Sequence, residues 1–232
     1  MEKNAAVYDQ VDPKDYQNRR YKDQKQKYLF DHWEGFTGSL IEKYAKDATV
    51  LDLGCGPGDR SFEMKKYAKR VLAIDSSKRM LGYAKAKYPM IEFMYADATD
   101  IPLEKNSIDT VFSIGLLEYV ENKEKLMQEI SRVLKPGGIS VLASTNFYCI
   151  PCFFIAVWYK LTGKKRMCSE PSFGQMIRMF DSHGFEVVDY KMDDGLFVLP
   201  FHLDIFFGEK TYRFVERFFK MFKRNPFSVV MM

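Results

Sequence analysis

A ten-residue stretch, V-L-D-L-G-C-G-P-G-D from Val50 to Asp59, has the residue types needed to bind a nucleotide-like ligand. Its apolar residues predict a buried strand around Asp52. Three glycines then allow a sharp turn that brings main-chain N–H groups close to a ligand, before a helix capped by Asp59 or Ser61. These glycines are Gly54, Gly56 and Gly58. The stretch predicts a cofactor cradle, although a glycine turn with a purely structural role remains an alternative.

The spacing of the glycines argues against a dinucleotide cofactor. The fingerprint G-x-G-x-x-G needs a small residue where this chain has Asp59. A second acid, Asp75, ends the predicted strand V-L-A-I-D about twenty residues after the turn, where a carboxylate can accept hydrogen bonds from both hydroxyls of a ribose. Capping of the next helix is an alternative role, which Ser76 or Ser77 could also fill. We therefore expect a ligand that contains adenosine.

Two further acids follow later strands. Asp97 could accept a hydrogen bond from an exocyclic amine while the N–H of Ala98 donates to a ring nitrogen, although an aspartate in a turn needs no such role. Glu118 follows the fourth predicted strand and is our candidate general base. The alternative is that Glu118 interacts only with the dipole of the helix that comes next.

The pattern from Val50 to Ala143 predicts the elements that position these residues, because short apolar runs alternate with amphipathic ones as in repeated βαβ units. Right-handed crossovers place the C-terminal ends of parallel strands at one edge, so the acids should meet there. The predicted strands are 49–53, 70–74, 91–95, 108–114 and 138–143. The predicted helices between them are 59–69, 77–87 and 121–134.

These motifs resemble those of the class I S-adenosylmethionine-dependent methyltransferases, in particular the small-molecule "type 11" domain. The likeness also includes S-I-D-T-V-F-S-I-G-L-L-E-Y-V and V-L-K-P-G-G-I-S-V-L-A. It implies that S-adenosylmethionine is the cofactor, that Asp52 orients its methionine end, and that Asp75 and Asp97 bind the ribose and the adenine. The cofactor-binding residues that it implies are Asp52, Gly54, Gly56, Gly58, Asp75, Ser76, Asp97, Ala98, Ser113, Ile114 and Gly115.

The resemblance also implies a Rossmann-like, doubly wound α/β fold with helices on both faces of the sheet. The mostly parallel sheet would have seven strands in the order 3-2-1-4-5-7-6, with the last strand antiparallel. A helix at 172–182, F-E-V-V-D-Y-K-M as the sixth strand and F-S-V-V-M-M as the seventh complete this expectation. The Asn/Asp-Pro-Pro-aromatic motif of enzymes that methylate DNA amino groups is missing, so nucleic acid is not an expected substrate or partner.

The N-terminal residues 1–48 are expected to form a helical cap on a single domain of residues 1–232. Helices are predicted at 14–33 and 39–46, with a break at Gly35 and Gly38. In the family that the chain resembles, such helices close over the cofactor. A solvated helix is the alternative for Tyr8, Tyr16 and Arg19.

Two insertions, 145–170 and 193–225, should leave the C-terminal ends of strands and form a helical lid. Both combine aromatic and basic residues, which suits an anionic lipid surface or a bulky apolar substrate with negative charge. Packing of the aromatic residues onto the sheet is the alternative. His202, in the second insertion, is a second candidate general base. Cys149 and Cys152 form a C-x-x-C without a nearby His, so no metal site is expected.

The composition is that of a globular domain: 232 residues with 47% apolar content and a net charge of +4, which indicates no particular partner. The N-terminus lacks the apolar core of a secretory signal, so we expect a cytoplasmic protein with reduced cysteines. A cytoplasmic protein that contacts the membrane surface is the alternative. The sequence predicts methyl transfer to a small-molecule or lipid-like acceptor, with the methylated atom undetermined. Two alternative hypotheses are a non-catalytic S-adenosylmethionine-binding protein and a membrane-surface protein.

Overall fold

The computed structural model describes residues 8–21, 24–145, 161, 173–193 and 227–231. His202 and nearly all of the two insertions lie outside these residues. The helices are α1 (Pro13–Tyr21), α2 (Gln24–Ala45), α3 (Asp59–Lys65), α4 (Lys78–Lys87), α5 (Lys123–Val133) and α6 (Phe173–Ser182). The strands are β1 (Thr49–Leu53), β2 (Arg70–Asp75), β3 (Glu92–Tyr95), β4 (Ile108–Ile114), β5 (Leu134–Thr145), β6 (Asp189–Asp193) and β7 (Phe227–Met231).

The strands form one sheet in the order β3-β2-β1-β4-β5-β7-β6. The first five strands in this order are parallel, while β7 runs antiparallel to both β5 and β6. The register pairs Asp52 with Ala73 and Asp75 with Tyr95, so β1, β2 and β3 end close together at one edge. This arrangement confirms the predicted Rossmann-like α/β fold class.

The sheet is covered on both faces, and its central strands are buried along most of their length. Four of the five residues of β1 are buried, as expected for a parallel strand between two helical layers. One layer of the core includes Ile41 of α2 and Met64 of α3. The other includes Ile130 of α5 and Phe180 of α6. Two packed layers on one sheet give the doubly wound architecture.

The predicted break at Gly35 and Gly38 is wrong, since α2 continues through both glycines over 22 residues. Phe36, Leu40 and Ile41 are 6%, 4% and 1% exposed, so one face of this helix is fixed in the core. A glycine inside a helix costs only about 1 kcal/mol relative to alanine, and burial of this face outweighs that cost.

Two other boundaries differ from the prediction by four residues, and the remaining ones in the central sheet differ by at most two. Helix α3 ends at Lys65 rather than at residue 69, because the N–H groups of the next residues form tighter turns onto Glu63 and Met64. Strand β5 begins at Leu134, so the predicted Pro-Gly-Gly turn lies within it beside a register shift with β4. A Cβ at Gly138 would lie 2.9 Å from the carbonyl oxygen of Lys135, which explains the need for glycine there. In the described part of the chain, no helix has the length and apolar character to cross a membrane.

Candidate functional site

The turn after β1 has all three of its glycines at positive φ, with values of 81°, 53° and 84° for Gly54, Gly56 and Gly58. The N–H of Gly54 donates to the carbonyl of Ile74 at 2.8 Å, which ties the turn to β2. A Cβ at Gly58 would lie 2.9 Å from Cζ of Phe93, whereas nothing lies within 4 Å of the Cβ position at Gly56. The turn is therefore closed on the side of the core and open above Gly56, where a ligand could approach the main chain.

Asp75 connects this turn to the end of β2. Its Oδ2 accepts from the N–H of Gly56 at 2.7 Å, and its Oδ1 accepts from the N–H of Ser77 at 2.8 Å. Ser77 is the N-cap of α4 and accepts from the N–H of Met80, so the helix-cap role belongs to Ser77 and not to Asp75. Burial raises the pKa of Asp75, while main-chain donors, including the N–H of the half-buried Ser76, oppose that rise.

Asp52 lies at the centre of the site, 2% exposed on β1. Ser61 Oγ donates to its Oδ2 at 2.6 Å. Burial raises the pKa of Asp52 to about 6, against the opposing effects of the Ser61 hydrogen bond and the charge of Arg60. The expected capping roles of Ser61 and Asp59 are wrong, since Gly58 is the N-cap of α3 and makes no side-chain capping bond.

Sequence reasoning missed Arg60. Its Nη2 lies 3.0 Å from Oε1 of Glu34 on α2, and its side chain is only 12% exposed. This partly buried pair brings a cation close to Asp52 at the methionine end of the predicted site. The two residues are 26 positions apart, so no local spacing rule could have revealed the pair.

Asp97 begins a tight loop after β3. One of its carboxylate oxygens accepts from the N–H of Thr99 at 2.8 Å, and its carbonyl accepts from the N–H of Asp100 at 3.0 Å. Ala98 is 9% exposed. The carboxylate thus has the turn-forming role that was one alternative, and this role also fixes its position at the end of β3.

The end of β4 borders the same edge of the sheet. Ser113 and Ile114 are 0% and 5% exposed, and each side chain is buried. Among the described residues, the Ser113 hydroxyl has no hydrogen-bond partner. Gly115 is exposed, with φ at 71°, and its N–H donates to the carbonyl of Ala143 at 2.7 Å. A ligand at this end of β4 would therefore contact main-chain atoms rather than side chains.

Glu118 lies in a short 3-10 turn, Leu117–Tyr119, and is 7% exposed. Helix α5 starts later, with Asn122 as its N-cap, which accepts from the N–H of Lys125. Glu118 is therefore outside the first turn of α5, and the helix-dipole alternative does not explain its position.

Tyr8, at the start of the described chain, packs against this turn. Its ring meets that of Tyr119 edge-on at 5.6 Å between centroids, and that of Tyr16 at 6.4 Å. Burial, a hydrogen bond with Tyr119 and the charge of Glu118 all raise the pKa of Tyr8. A solvated helix is thus not the environment of Tyr8 and Tyr16, both of which are half-buried.

The rest of the N-terminal segment is attached to α4. Asp9 Oδ1 accepts from Ser77 Oγ at 2.7 Å, and Asp12 Oδ2 lies 2.8 Å from Nη2 of Arg79. Gln17 accepts from the hydroxyl of Tyr83 at 2.8 Å. These contacts place the segment beside the edge at which Asp75 and Glu118 lie. Within the described ranges, no group of His, Cys, Asp or Glu could hold a metal ion.

Comparison with known proteins identifies the core of the chain. Residues 51–142 match a family model described as a methyltransferase domain. This match covers less than half of the chain, and within it the chain is similar to S-adenosylmethionine-dependent methyltransferases. The chain is 38% identical over 105 residues to the ubiquinone/menaquinone biosynthesis C-methyltransferase UbiE of Campylobacter jejuni. That match covers 42% of the present chain and 44% of the relative, so it spans less than half the length of either protein.

Solved structures share the fold of the chain. An S-adenosylmethionine-dependent methyltransferase from Mesorhizobium loti has a TM-score of 0.62 at 22% identity, over 85% of the present chain and 96% of its own. The geranyl diphosphate C-methyltransferase of Streptomyces coelicolor, in complex with S-adenosylhomocysteine, also has a TM-score of 0.62, at 16% identity, over 85% and 77% of the two chains.

The chemistry of the site fits S-adenosylmethionine, the cofactor named for the methyltransferases to which the chain is similar. The ligand carries an ammonium group, two ribose hydroxyls and an adenine amine, all of which donate hydrogen bonds. Asp52, Asp75 and Asp97 supply acceptors at the ends of three neighbouring strands. The open space above Gly56 leaves room for the ligand beside the turn.

Proposed function

We propose that the chain transfers a methyl group from S-adenosylmethionine to a small-molecule or lipid-like acceptor. The observation that carries this proposal is that a glycine turn and three aspartates meet at the C-terminal edge of the parallel sheet. Bound S-adenosylmethionine would supply a methyl group that its sulfonium has already activated. The chain then has to bind the cofactor, orient the acceptor and, for some acceptors, remove a proton.

Each aspartate would have a separate part in binding the cofactor. Asp52 would pair with the ammonium group, Asp75 would accept from the ribose hydroxyls, and Asp97 with the N–H of Ala98 would bind the adenine. Hydrogen bonds within the protein support these roles, because Ser61 and the main-chain N–H groups of Gly56, Ser77 and Thr99 already fix the carboxylates. Alignment of the reacting groups can lower the activation barrier of a reaction by about 7–11 kcal/mol.

Glu118 would act on the acceptor. It lies buried in the 3-10 turn that follows β4, close to Tyr8, whose ring meets that of Tyr119. A carboxylate there could take a proton from a hydroxyl or an acidic carbon as the methyl group is transferred. His202, outside the described residues, is a second candidate for this role.

The acceptor would be apolar in large part. The names of UbiE and of the geranyl diphosphate C-methyltransferase describe transfer to carbon, and the second of these acts on an isoprenoid diphosphate. The aromatic and basic residues of the insertions suit an acceptor of that character, or a lipid surface that presents it. Liposome co-sedimentation at low and high salt would detect such a surface interaction.

The cofactor is tested by calorimetry with S-adenosylmethionine, S-adenosylhomocysteine and NAD. The expected result is binding of the first two and not of NAD, and binding of NAD alone would refute the proposal. Transfer is then measured with radiolabelled S-adenosylmethionine over a panel of hydroxyl, amine and isoprenoid acceptors. Cofactor binding with no transfer to any acceptor would favour a non-catalytic binding protein.

The role of Glu118 is tested by Glu118→Gln, with Glu124→Gln as the matched control because the Glu124 side chain is 67% exposed. Loss of a general base lowers kcat by about 10²–10⁴-fold. Affinity for S-adenosylhomocysteine should stay as in the wild type, since Glu118 is assigned to the acceptor. Unchanged turnover of Glu118→Gln would contradict the assignment.

A further inference from the structure

A charged pair on α5, Glu129 and Arg132, holds the main chain of the loop that follows β3. Arg132 Nη1 donates to the carbonyl of Leu103 at 2.7 Å, and Nη2 donates to the carbonyl of Ile101 at 2.7 Å. Glu129 Oε2 accepts from the N–H of Ile101 at 2.8 Å. Both the N–H and the C=O of Ile101 are therefore bonded to α5.

The pair is itself rigid. Arg132 Nε donates to Glu129 Oε1 at 2.8 Å, and Nη2 donates to Oε2 at 2.7 Å, which is a two-point contact between residues three apart on one helix face. The hydrogen bond from Arg132 lowers the pKa of Glu129, so the carboxylate stays ionised at neutral pH. Ile130 and Val133 on the same helix are fully buried, which fixes α5 against the sheet.

The loop that the pair holds is the one that carries Asp97 and Ala98. Within it, the N–H of Thr99 is bonded to the Asp97 carboxylate, and the N–H of Asp100 to the Asp97 carbonyl. Ile101 follows at once, with its side chain 3% exposed in the core. The turn at Asp97 and the attachment at Ile101 thus form one continuous unit, and a shift of Ile101 would carry Asp97 with it.

We infer that Glu129 and Arg132 are positioning residues for recognition of the adenine. The inference rests on the proposed function, since it takes Asp97 and Ala98 to contact that base. Neither Glu129 nor Arg132 touches the cofactor in this scheme. They act through the loop, by keeping an acceptor opposite the exocyclic amine and a donor opposite a ring nitrogen. Such paired contacts lose their selectivity when the supporting chain moves by about 1 Å.

A second Arg–Glu pair provides the matched control. Arg70 Nε and Nη2 donate to the two carboxylate oxygens of Glu92 at 2.8 and 2.6 Å, and both side chains are more than half exposed, at 54% and 53%. This pair joins the first residues of β2 and β3, at the end of these strands opposite Asp75. It has the same chemistry as the pair on α5 but lies away from the loop.

The test measures two ligands by calorimetry on the full chain. S-adenosylhomocysteine carries the exocyclic amine, while S-inosylhomocysteine has a carbonyl oxygen in its place. The wild type should prefer the adenosyl ligand, because the Asp97 carboxylate accepts from an amine and repels a carbonyl oxygen. Arg132→Gln should weaken binding of S-adenosylhomocysteine about tenfold and reduce this preference, since the loop loses charge-assisted hydrogen bonds. Arg70→Gln should change neither dissociation constant.

Thermal unfolding of both variants separates positioning from general stability. Loss of adenine preference in Arg132→Gln at a temperature at which both variants are fully folded, with full preference in Arg70→Gln, would support the inference. If Arg132→Gln does not fold, Glu129→Gln and Arg132→Lys take its place, and each should reduce the preference by a smaller factor.

Three results would overturn the inference, and they are distinguishable. A wild type that does not bind S-adenosylhomocysteine would remove the proposed function as well. A wild type that binds both ligands equally would remove the adenine role of Asp97. Full preference and affinity in the Arg132 and Glu129 variants, beside a selective wild type, would refute the positioning role alone.

Discussion

Replacing Asp52 by Asn is the most direct test of the electrostatics of the site. Asp52 is 2% exposed, and burial raises its pKa from an ordinary value of 3.8 to about 6. The folded chain therefore disfavours the ionised carboxylate relative to the unfolded chain. Asn removes the charge but keeps an oxygen that can accept from Ser61 Oγ.

The expected size of the effect follows from the pKa difference. A pKa difference of one corresponds to about 1.4 kcal/mol, so the rise from 3.8 to about 6 corresponds to about 3 kcal/mol. The folded chain binds this proton more tightly than the unfolded chain. Stability is therefore lost as the pH rises from about 4 to about 6, and the loss is complete above that range. At about pH 4 Asp52 is almost fully protonated in the folded chain and about half protonated in the unfolded chain, so only a small part of the electrostatic effect remains there.

Urea and thermal unfolding of the ligand-free wild type and Asp52→Asn, each at about pH 4 and pH 7.5, measure this effect. The two proteins should differ by less than about 1 kcal/mol at the lower pH. At the higher pH the variant should be more stable by up to about 3 kcal/mol, at roughly 2–4 °C in Tm for each kcal/mol in a chain of this size. Binding of S-adenosylhomocysteine at pH 7.5 should weaken, because the ligand's ammonium group loses its partner.

Comparison of the two pH values isolates Asp52, since the other titrating groups are the same in both proteins. A variant that is less stable than the wild type by the same amount at both pH values would refute the reasoning. Such a result would mean that the carboxylate contributes only a hydrogen bond and that burial of its charge has no net effect.

Two further predictions concern stability measured by urea unfolding. Gly58→Ala places a methyl group 2.9 Å from Phe93 Cζ and 3.1 Å from Ala84 Cβ at a φ of 84°, so it should lower the free energy of unfolding by about 2–3 kcal/mol. The methyl group of Gly82→Ala in α4 meets no described atom within 4 Å, so this variant should raise the free energy of unfolding by about 0.5–1 kcal/mol. Equal losses in the two variants would contradict this contrast. Ser140→Ala removes a buried hydroxyl that has no hydrogen-bond partner among the described residues, so the free energy of unfolding should be unchanged or higher by up to about 1 kcal/mol. A clear decrease in the free energy of unfolding would reveal an interaction of that hydroxyl.

The sequence predicts the central sheet closely because its strands are buried on both faces. The observed bounds Thr49–Leu53 and Ile108–Ile114 are those predicted, since these short segments rich in apolar residues are almost fully buried in the sheet. The α2 helix was predicted less well. Its continuation through Gly35 and Gly38 depends on packing against the sheet, which outweighs the local preference of glycine.

In the candidate site, too, the topology of the sheet was predictable and the contacts between distant segments were not. Topology alone places Asp52, Asp75 and Asp97 at one edge, because each ends or follows a parallel strand. Contacts between distant segments could not be predicted, since no spacing rule relates Arg60 to Glu34, or the side chain of Arg132 to the carbonyls that it holds. The burial of the Ser113 side chain was likewise outside the reach of sequence, because it depends on which layer each side of β4 faces.

The hydrogen bonds of the three aspartates decide what mutation of each can show. Both oxygens of Asp75 accept from main-chain N–H groups, so Asn at that position would place an amide nitrogen against one of these donors and disturb the glycine turn together with any ribose contact. Asp97 is similar, because its carboxylate holds the N–H of Thr99. Asp52 differs, since its partner is the Ser61 hydroxyl, which can rotate to donate or accept. Loss of ligand binding in Asp52→Asn, with stability retained or increased, therefore reports on the charge of the carboxylate. The same loss after substitution of Asp75 or Asp97 has two causes that cannot be separated: the lost contact with the ligand and the disturbed main chain around the aspartate.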